Sequence, residues 1–276
     1  MHYIIQENIF KEPHYNLLVE TMERLELSYQ LVRVYPFVDK IVELKDIPDV
    51  LDNIDDLPDI IVDRKDVFLF GSVKMARITA NLGWKPGSQI NENHDFSVYS
   101  KYYKENLLNY DSLITTFSTP LEWVVPRKFI RPTKDSKAFT GKVYSKEGWI
   151  QFVNDFKPQS DSILTLDTVI QVSSIKQIYK EIRFWVVNGK VITGSQYAIG
   201  GEVLYNKYFE PEAQEYAQSM VDIYQPADAF VIDVCLTENG WKVVEINCIN
   251  CAGFYLCNMQ KMIMELEYFF NKKVNA

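Results

Sequence analysis

The sequence predicts a chain of the α+β class, a mixed α/β molecule with more than one subdomain, and three observations carry that prediction. Strand and helix periodicities alternate through the first 80 residues. Beyond Pro120, long β-rich runs joined by hairpin turns take over, with helical stretches between them. The 276 residues are 47% hydrophobic and 14% aromatic, enough to bury a core, and at this length a single core divides into two or three packed subdomains.

Each element follows from its own pattern. Residues 3–5 form an apolar run; Leu17, Leu18, Met22 and Leu25 then recur at helical spacing, and residues 29–34 read as a second strand. Residues 59–63 and 67–70 look like two further short strands. Gly71-Ser72 precedes a helix carrying Val73, Ala76, Arg77 and Ala80, and fits either a turn with an N-cap or an anion site. Residues 83–95 (GWKPGSQINENHD) have loop composition, and a helix over 99–108 follows. Strands are expected over 123–132, 138–144, 163–172, 181–197 and 229–249, with helices over 146–156, 211–224 and 258–270. Phe269 and Phe270 on the last helix read as core packing. The expected division is 1–90 as an α/β domain, 91–122 as a helical linker and 123–276 as a larger unit that splits near residue 180.

Composition excludes several classes. With 29 Lys and Arg against 37 Asp and Glu the net charge is −8, which argues against broad binding to nucleic acid. No apolar run approaches the roughly 18–20 residues of a membrane helix, and Gln6, Glu7 and Asn8 interrupt the place of a signal peptide, so a cytoplasmic protein without a membrane partner is expected. Cys235, Cys248, Cys251 and Cys257 crowd the last fifth of the chain and read as reduced thiols. Cys248 and Cys251 have the spacing of a zinc half-site, but no second pair accompanies them, and His2, His14 and His94 are distant in sequence.

The most informative segment is FVIDVCLTENGWKVVEIN, residues 230–247, two strand-like runs about a turn. With a three-residue loop, paired positions sum to 478, so Asp233 lies opposite Glu245 and Asn247 shares their face. A two-residue loop would turn Glu245 away. Opposed carboxylates repel by up to about 1 kcal/mol unless a cation intervenes. Asp, Glu and an Asn carbonyl are oxygen ligands of the kind Mg²⁺ accepts; the alternative is a solvated polar hairpin face, against which Phe230, Val231, Ile232, Val243, Val244 and Ile246 mark buried strands.

Two other segments carry charge. Arg127, Lys128, Arg131, Lys134, Lys137 and Lys142 fall within sixteen positions of an acidic chain, a basic hairpin that either faces an anion or is solvated. In EIRFWVVNGKVITGSQY a tight turn at Asn188-Gly189 gives pairs summing to 377, which sets Glu181, Arg183, Gly194 and Gln196 on one face, with room opposite Arg183 at Gly194, and Ile182, Phe184 and Val186 on the other. That quartet is either a structural ion pair or the wall of a site.

Taken in order, FIRP at 129–132, DSKAFTG at 135–141, a strand ending near Gln171, EIRFWVVNGKVI at 181–192 and FVIDV with VVEIN at 230–247 resemble the ATP-grasp family, in particular a phage and bacterial subfamily with Arg in place of the usual phosphate-binding Lys. The resemblance covers roughly residues 120–260. It implies the ATP-grasp fold, two α+β subdomains gripping ATP, with residues 1–90 as a pre-ATP-grasp domain. It implies ATP and Mg²⁺, as two ions, as cofactors, with Asp233, Glu245 and Asn247 as metal ligands. Arg131 stands at the lysine of the usual VKP motif, Lys137 in the phosphate-covering loop, and Lys104 and Lys207 at further phosphate-contacting positions. The main chain of Gln171, Val172 and Ser173 would meet adenine and Glu181 the ribose. Only Gly141 represents the glycines of the covering loop. Arg183, Asn250, Gly253 and Tyr255 would meet the acceptor, and Arg183 and Arg131 would act in catalysis. The implied activity is an ATP- and Mg-dependent carboxylate-amine ligase that works through an acyl phosphate on an amino acid, peptide or protein acceptor. A phosphotransferase and a non-catalytic nucleotide-binding module are the alternatives, and a phage-encoded chain would act in the host cytoplasm. Phosphoryl transfer asks a protein for positioning and charge, and the sequence shows cations and metal ligands without a Ser/His or Cys/His pair.

Overall fold

Strand pairing in the N-terminal part follows its near-continuous apolar runs. In the computed structural model, which describes residues 1–8, 11–35, 37–50, 53–134, 138–157 and 162–274, β1 (His2–Gln6) is buried at every position and lies between β2 (Ser28–Tyr35) and β4 (Asp66–Phe70), parallel to both. β5 (Lys85–Gly87) extends the sheet beside β4, and β3 (Lys40–Glu43) returns antiparallel on β2, giving the order β3-β2-β1-β4-β5. The strand expected over 59–63 does not form; β3 takes the place beside β2, and the 59–63 run touches it through an Ile60 N–H bond to the Ile41 carbonyl. Helix α1 (Tyr15–Arg24) covers one face of this sheet through Leu18 and Met22, and α2 (Val73–Thr79) the other through Met75. Ser72 is the N-cap of α2, its hydroxyl accepting from the Met75 N–H at 3.2 Å, so the turn reading of Gly71-Ser72 holds.

Helix α3 (Phe96–Tyr103) starts and ends earlier than its periodicity suggests, because Lys104 takes φ 47° and breaks the helix. The segment expected as linker also supplies β6 (Leu113–Thr116). That strand joins β7 (Arg127–Pro132), β8 (Lys142–Ser145) and β9 (Val169–Ser173) in an antiparallel sheet of order β6-β9-β7-β8. Helix α4 (Lys146–Asp155) packs on it over Phe117, Ile130, Trp149 and Ile170.

The third sheet has the order β12-β11-β10-β13-β14, built from β10 (Lys180–Val187), β11 (Lys190–Ile199), β12 (Glu202–Asn206), β13 (Ala229–Thr237) and β14 (Gly240–Cys248). Strand parity divides its chemistry. Ile182, Phe184, Val186, Phe230, Ile232 and Val234 point to one face and pack with α3 and α5 (Pro211–Ile223). On the opposite face, Trp185, Val187 and Val231 pack with α6 (Met259–Val274) and with Tyr3, Phe68 and Phe70 of the first sheet, so one core joins the N-terminal and C-terminal units. Phe269 and Phe270 belong to that core. The remainder of this face is polar, and it is where the candidate site lies. No helix among the described residues is long and apolar enough to cross a membrane.

Candidate active site

Three neighbouring strands place a row of charges side by side. Arg183 on β10 pairs with Asp233 on β13, which pairs with Glu245 on β14, so the three share one face in direct register. Asn247, two residues beyond Glu245, donates from Nδ2 to Glu245 Oε1 at 2.7 Å. The opposition of Asp233 and Glu245 is as the parity argument requires, but a three-residue loop does not produce it. The turn pairs Thr237 with Gly240, with Gly240 at φ 87°, and positions near it sum to 477. A bulge at Val244 then shifts the register to 478 before Glu245 is reached. Bulges also displace the second hairpin: Arg183 faces Ser195, Gln196 faces Ile182, and Gly194 faces Phe184. The space at Gly194 is therefore not room for Arg183. A Cβ there would lie 2.5 Å from the Phe184 ring and 2.9 Å from Phe209.

Arginine guanidinium groups relieve the repulsion between the two carboxylates. Arg183 grips Asp233 in a fork, Nε to Oδ1 at 2.8 Å and Nη2 to Oδ2 at 2.7 Å, with side chains only 9% and 2% exposed. Arg131 reaches across from β7 and donates from Nη1 to Glu245 Oε2, so the small and large sheets meet at the carboxylate row. Burial alone would lower the pKa of Arg183, but Asp233 overrides it and holds the guanidinium charged. Gly141 backs this arrangement, because a Cβ there would stand 2.8 Å from that of Arg131.

A second layer of the site is aromatic. The Arg183 guanidinium lies 4.9 Å from the Tyr255 ring centre, and Tyr255 in turn packs on Tyr197 and stacks on Tyr205. Tyr255 adopts φ 47°, a backbone state that costs a non-glycine residue on the order of 1–3 kcal/mol. It is held there by Glu12, whose Oε1 accepts the N–H groups of Phe254 and Tyr255 at 3.2 and 3.1 Å. Ser195 and Thr193 pin the following residues through the N–H groups of Leu256 and Asn258. Glu181 accepts a hydrogen bond from the Tyr197 hydroxyl at 3.0 Å. Burial raises its pKa, Asp233 and Glu245 raise it further, and the Tyr197 bond opposes them.

The model of an ATP-grasp domain family, clade family 3, matches residues 43–266. The chain belongs to that family. No curated protein sequence matches it. Among solved structures, the D-alanine--D-alanine ligase of Bacillus anthracis complexed with ATP is similar over 100% of this chain and 95% of that one, with a TM-score of 0.57 at 14% identity. D-cycloserine synthetase DcsG is similar over 97% of this chain and 99% of that one, with a TM-score of 0.59 at 7% identity. These likenesses show the fold, a mixed α/β ATP-grasp organisation, and in this chain the carboxylate row lies where the two antiparallel sheets meet.

Within this ATP-grasp fold the row has the donors for a hard cation. Asn247 Oδ1 is buried without a hydrogen-bond partner, beside the carboxylate of Glu245. An orphaned oxygen next to two carboxylates suits Mg²⁺, which takes one or two carboxylates and completes its shell from substrate phosphates and water. The described residues contain no group of three His, Cys, Asp or Glu side chains arranged for a metal, and the four cysteines are free thiols, so the zinc half-site at Cys248 and Cys251 is not completed.

The other residues singled out by sequence fall in different places. Gln171 and Val172 lie on the interior strand β9, in register with neighbours on both sides, while among the described residues Ser173 pairs only with Phe129. The Gln171 side chain donates to Ser112 Oγ at 2.9 Å, and Ser173 Oγ donates to Asn109 Oδ1 at 3.1 Å. Lys104 is exposed at the end of α3, and Lys207 is exposed over the Tyr208 ring at 5.1 Å; no contact among the described residues joins either to the carboxylate row. Lys137 lies outside the described residues. Asn250 is a correction in kind. Its Oδ1 accepts from the Gln89 N–H at 2.6 Å and its Nδ2 donates to the Leu69 carbonyl at 2.6 Å, so the amide fastens the N-terminal sheet to the segment after β14 and is not available to an acceptor. Gly253 lies against Tyr255, with a would-be Cβ 3.3 Å from its ring. Sequence reading misses Glu12, Tyr197 and Tyr205. Only three-dimensional proximity marks them, since a lone glutamate and two strand tyrosines carry no spacing signal.

Proposed function

We propose that the protein is an ATP- and Mg-dependent carboxylate-amine ligase acting on an amino acid, peptide or protein acceptor. The observation that carries the proposal is the row Arg183, Asp233, Glu245 and Asn247, with the orphaned Asn247 oxygen and with Arg131 arriving from the facing sheet. Family membership supports the class of chemistry. Asp233, Glu245 and Asn247 would hold Mg²⁺, as two ions. Arg131, Lys137, Lys104 and Lys207 would serve the phosphates, Arg131 standing where the usual motif has Lys and gripping two oxygens at once. Glu181 would hold the ribose, and the main chain of Gln171, Val172 and Ser173 would border the adenine.

When bound, Mg-ATP supplies the phosphoryl group that turns the acceptor carboxylate into an acyl phosphate. An amine then forms the C–N bond as phosphate leaves, and one proton is released from the amine. The chain's own contribution is placement and charge. Arg183 would orient the acceptor carboxylate while holding Asp233, Arg131 would balance charge on the transferred group, and Gly253 and Tyr255 would form the acceptor wall; Asn250 supports that wall from behind. The purified protein, incubated with ATP, Mg²⁺ and a cell extract, should release ADP and phosphate together and yield a product whose mass equals two components joined with loss of water. A product carrying a stable phosphate would make the protein a phosphotransferase instead. Binding of Mg-ATP without ADP release on any fraction would make it a binding module.

A further inference from the structure

A cavity of about 440 Å³ lies where the N-terminal sheet meets the segment after β14, within the range of ligand sites. It sits at the carboxyl ends of the parallel neighbours β1 and β4, whose following helices α1 and α2 cover opposite faces of the sheet. That is a topological switch point, where open parallel sheets leave a crevice for ligands. Its walls are apolar, formed by Ile5, Leu18, Phe70 and Phe254. Thr140 also lines it, one residue before the Gly141 that backs Arg131, so the cavity extends to the phosphate-facing loop.

The charged side chains among its described lining residues are Glu7 and Glu12, and none is basic. Glu7 is held by the Arg33 fork, Nε to Oε1 at 2.6 Å and Nη2 to Oε2 at 2.8 Å. Glu12 accepts two backbone N–H groups on Oε1 and the His14 N–H on Oε2 at 2.8 Å. A carboxylate has about four acceptor positions, so one remains, on Oε2. An anionic group entering this cavity would meet only carboxylates and hydrocarbon. A cationic amine would meet an acceptor and leave its side chain to the apolar wall.

We infer that this cavity binds the amine component of the ligation, and that this component is an amine bearing an apolar side chain, such as an apolar amino acid or the amino end of a peptide. The inference rests on the ligase reading and adds a substrate class to it. The Tyr255 ring, with Gly253 against it, separates the cavity from Arg183, so the amine and the acceptor carboxylate approach from opposite sides of one aromatic wall.

The test is calorimetric titration of the full chain, with Mg²⁺ and a non-hydrolysable ATP analogue present. Leucinamide has the amine and the apolar side chain without a carboxylate; 4-methylpentanoate has the side chain and a carboxylate without the amine. Leucinamide should bind at least tenfold more tightly. Ala252→Phe, which fills the cavity from its rim, should weaken leucinamide at least tenfold while the nucleotide analogue binds within twofold of wild type. Cys251→Phe narrows the same cavity and replaces it if Ala252→Phe does not fold. No leucinamide binding to a chain that binds the analogue, equal or tighter binding of 4-methylpentanoate, or full leucinamide affinity in the filled variant would overturn the inference. Failure of the analogue to bind with Mg²⁺ would instead overturn the ligase reading, and leucinamide binding would be read separately from it.

Discussion

Removing the Arg183 guanidinium is expected to destabilise the protein far more than an ordinary ion-pair mutation. The Arg183 and Asp233 side chains are 9% and 2% exposed and joined by two hydrogen bonds of 2.8 and 2.7 Å, so Arg183→Met leaves a carboxylate buried beside Glu245 with its fork gone. Breaking a buried pair from one side costs about 3–5 kcal/mol, against about 0.2–1 kcal/mol for an exposed pair. With an unfolding entropy near 2.1 cal/mol/K per residue, the 276-residue chain should lose about 5–9 °C of melting temperature. The double variant Arg183→Met/Asp233→Leu should recover most of that loss, because it removes both charges together. It should nevertheless lose Mg-dependent nucleotide turnover with its metal ligand. The assay is urea and thermal unfolding of the two single variants and the double variant, read as a coupling energy, with ADP release in parallel. A loss under 1 kcal/mol for Arg183→Met, or a double variant no more stable than the singles, would refute the reasoning that the pair is a desolvated unit.

Four further outcomes are expected. Glu181→Gln should flatten the pH dependence of stability: the native carboxyl keeps its proton to higher pH than the ordinary 4.5, so its contribution to stability falls as pH rises above that value, and the effect is read by denaturation at a series of pH values. Arg131→Ala should weaken ATP binding by about 1.5–3 kcal/mol, roughly 10- to 150-fold, by calorimetry. Gly194→Ala should cost about 1–3 kcal/mol in urea unfolding, since its methyl group would meet the Phe184 ring at 2.5 Å. Cys248→Ser/Cys251→Ser should keep nucleotide turnover, with no stoichiometric zinc in the wild-type protein by elemental analysis, because both thiols are free.

Parity carries a reading of the sequence furthest where the pattern has period two. The alternation in Phe230-Val231-Ile232-Asp233-Val234 assigns faces unambiguously, and the opposition of Asp233 and Glu245 follows once a register is chosen. What the pattern does not contain is the bulge. Val243 and Val244 are both β-branched and apolar, so nothing in their chemistry says which is the extra residue. The same blindness sets Arg183 against Gly194, because two register shifts within β10 and β11 move the partner by one residue at a time. Asn250 is legible as special but not in what it holds. Its position after the metal strand suggests a substrate contact, whereas its amide bridges Leu69 and Gln89, residues 161 or more positions away. Long-range partners of that kind leave no local trace. Glu12 is invisible for the same reason, its oxygen serving N–H groups at Phe254 and Tyr255.

The two arginine-carboxylate pairs differ in a way that orders the chemistry. Arg183 and Asp233 sit on adjacent strands of one sheet, doubly bonded and buried, and cannot part without leaving a charge in the interior. Arg131 and Glu245 belong to different sheets, and their side chains are 18% and 21% exposed, so their separation exchanges one partly hydrated contact for others. Bonds from a guanidinium to phosphate contribute about 1.5–3 kcal/mol, more than the about 0.2–1 kcal/mol of a solvent-accessible ion pair. Release of Glu245 by Arg131 on arrival of the triphosphate is therefore downhill, and it frees a carboxylate beside the orphaned Asn247 oxygen for the accompanying cation. Asp233 stays fixed throughout as the immobile end of the row, which is why the stability cost belongs to Arg183 and the nucleotide-affinity cost to Arg131.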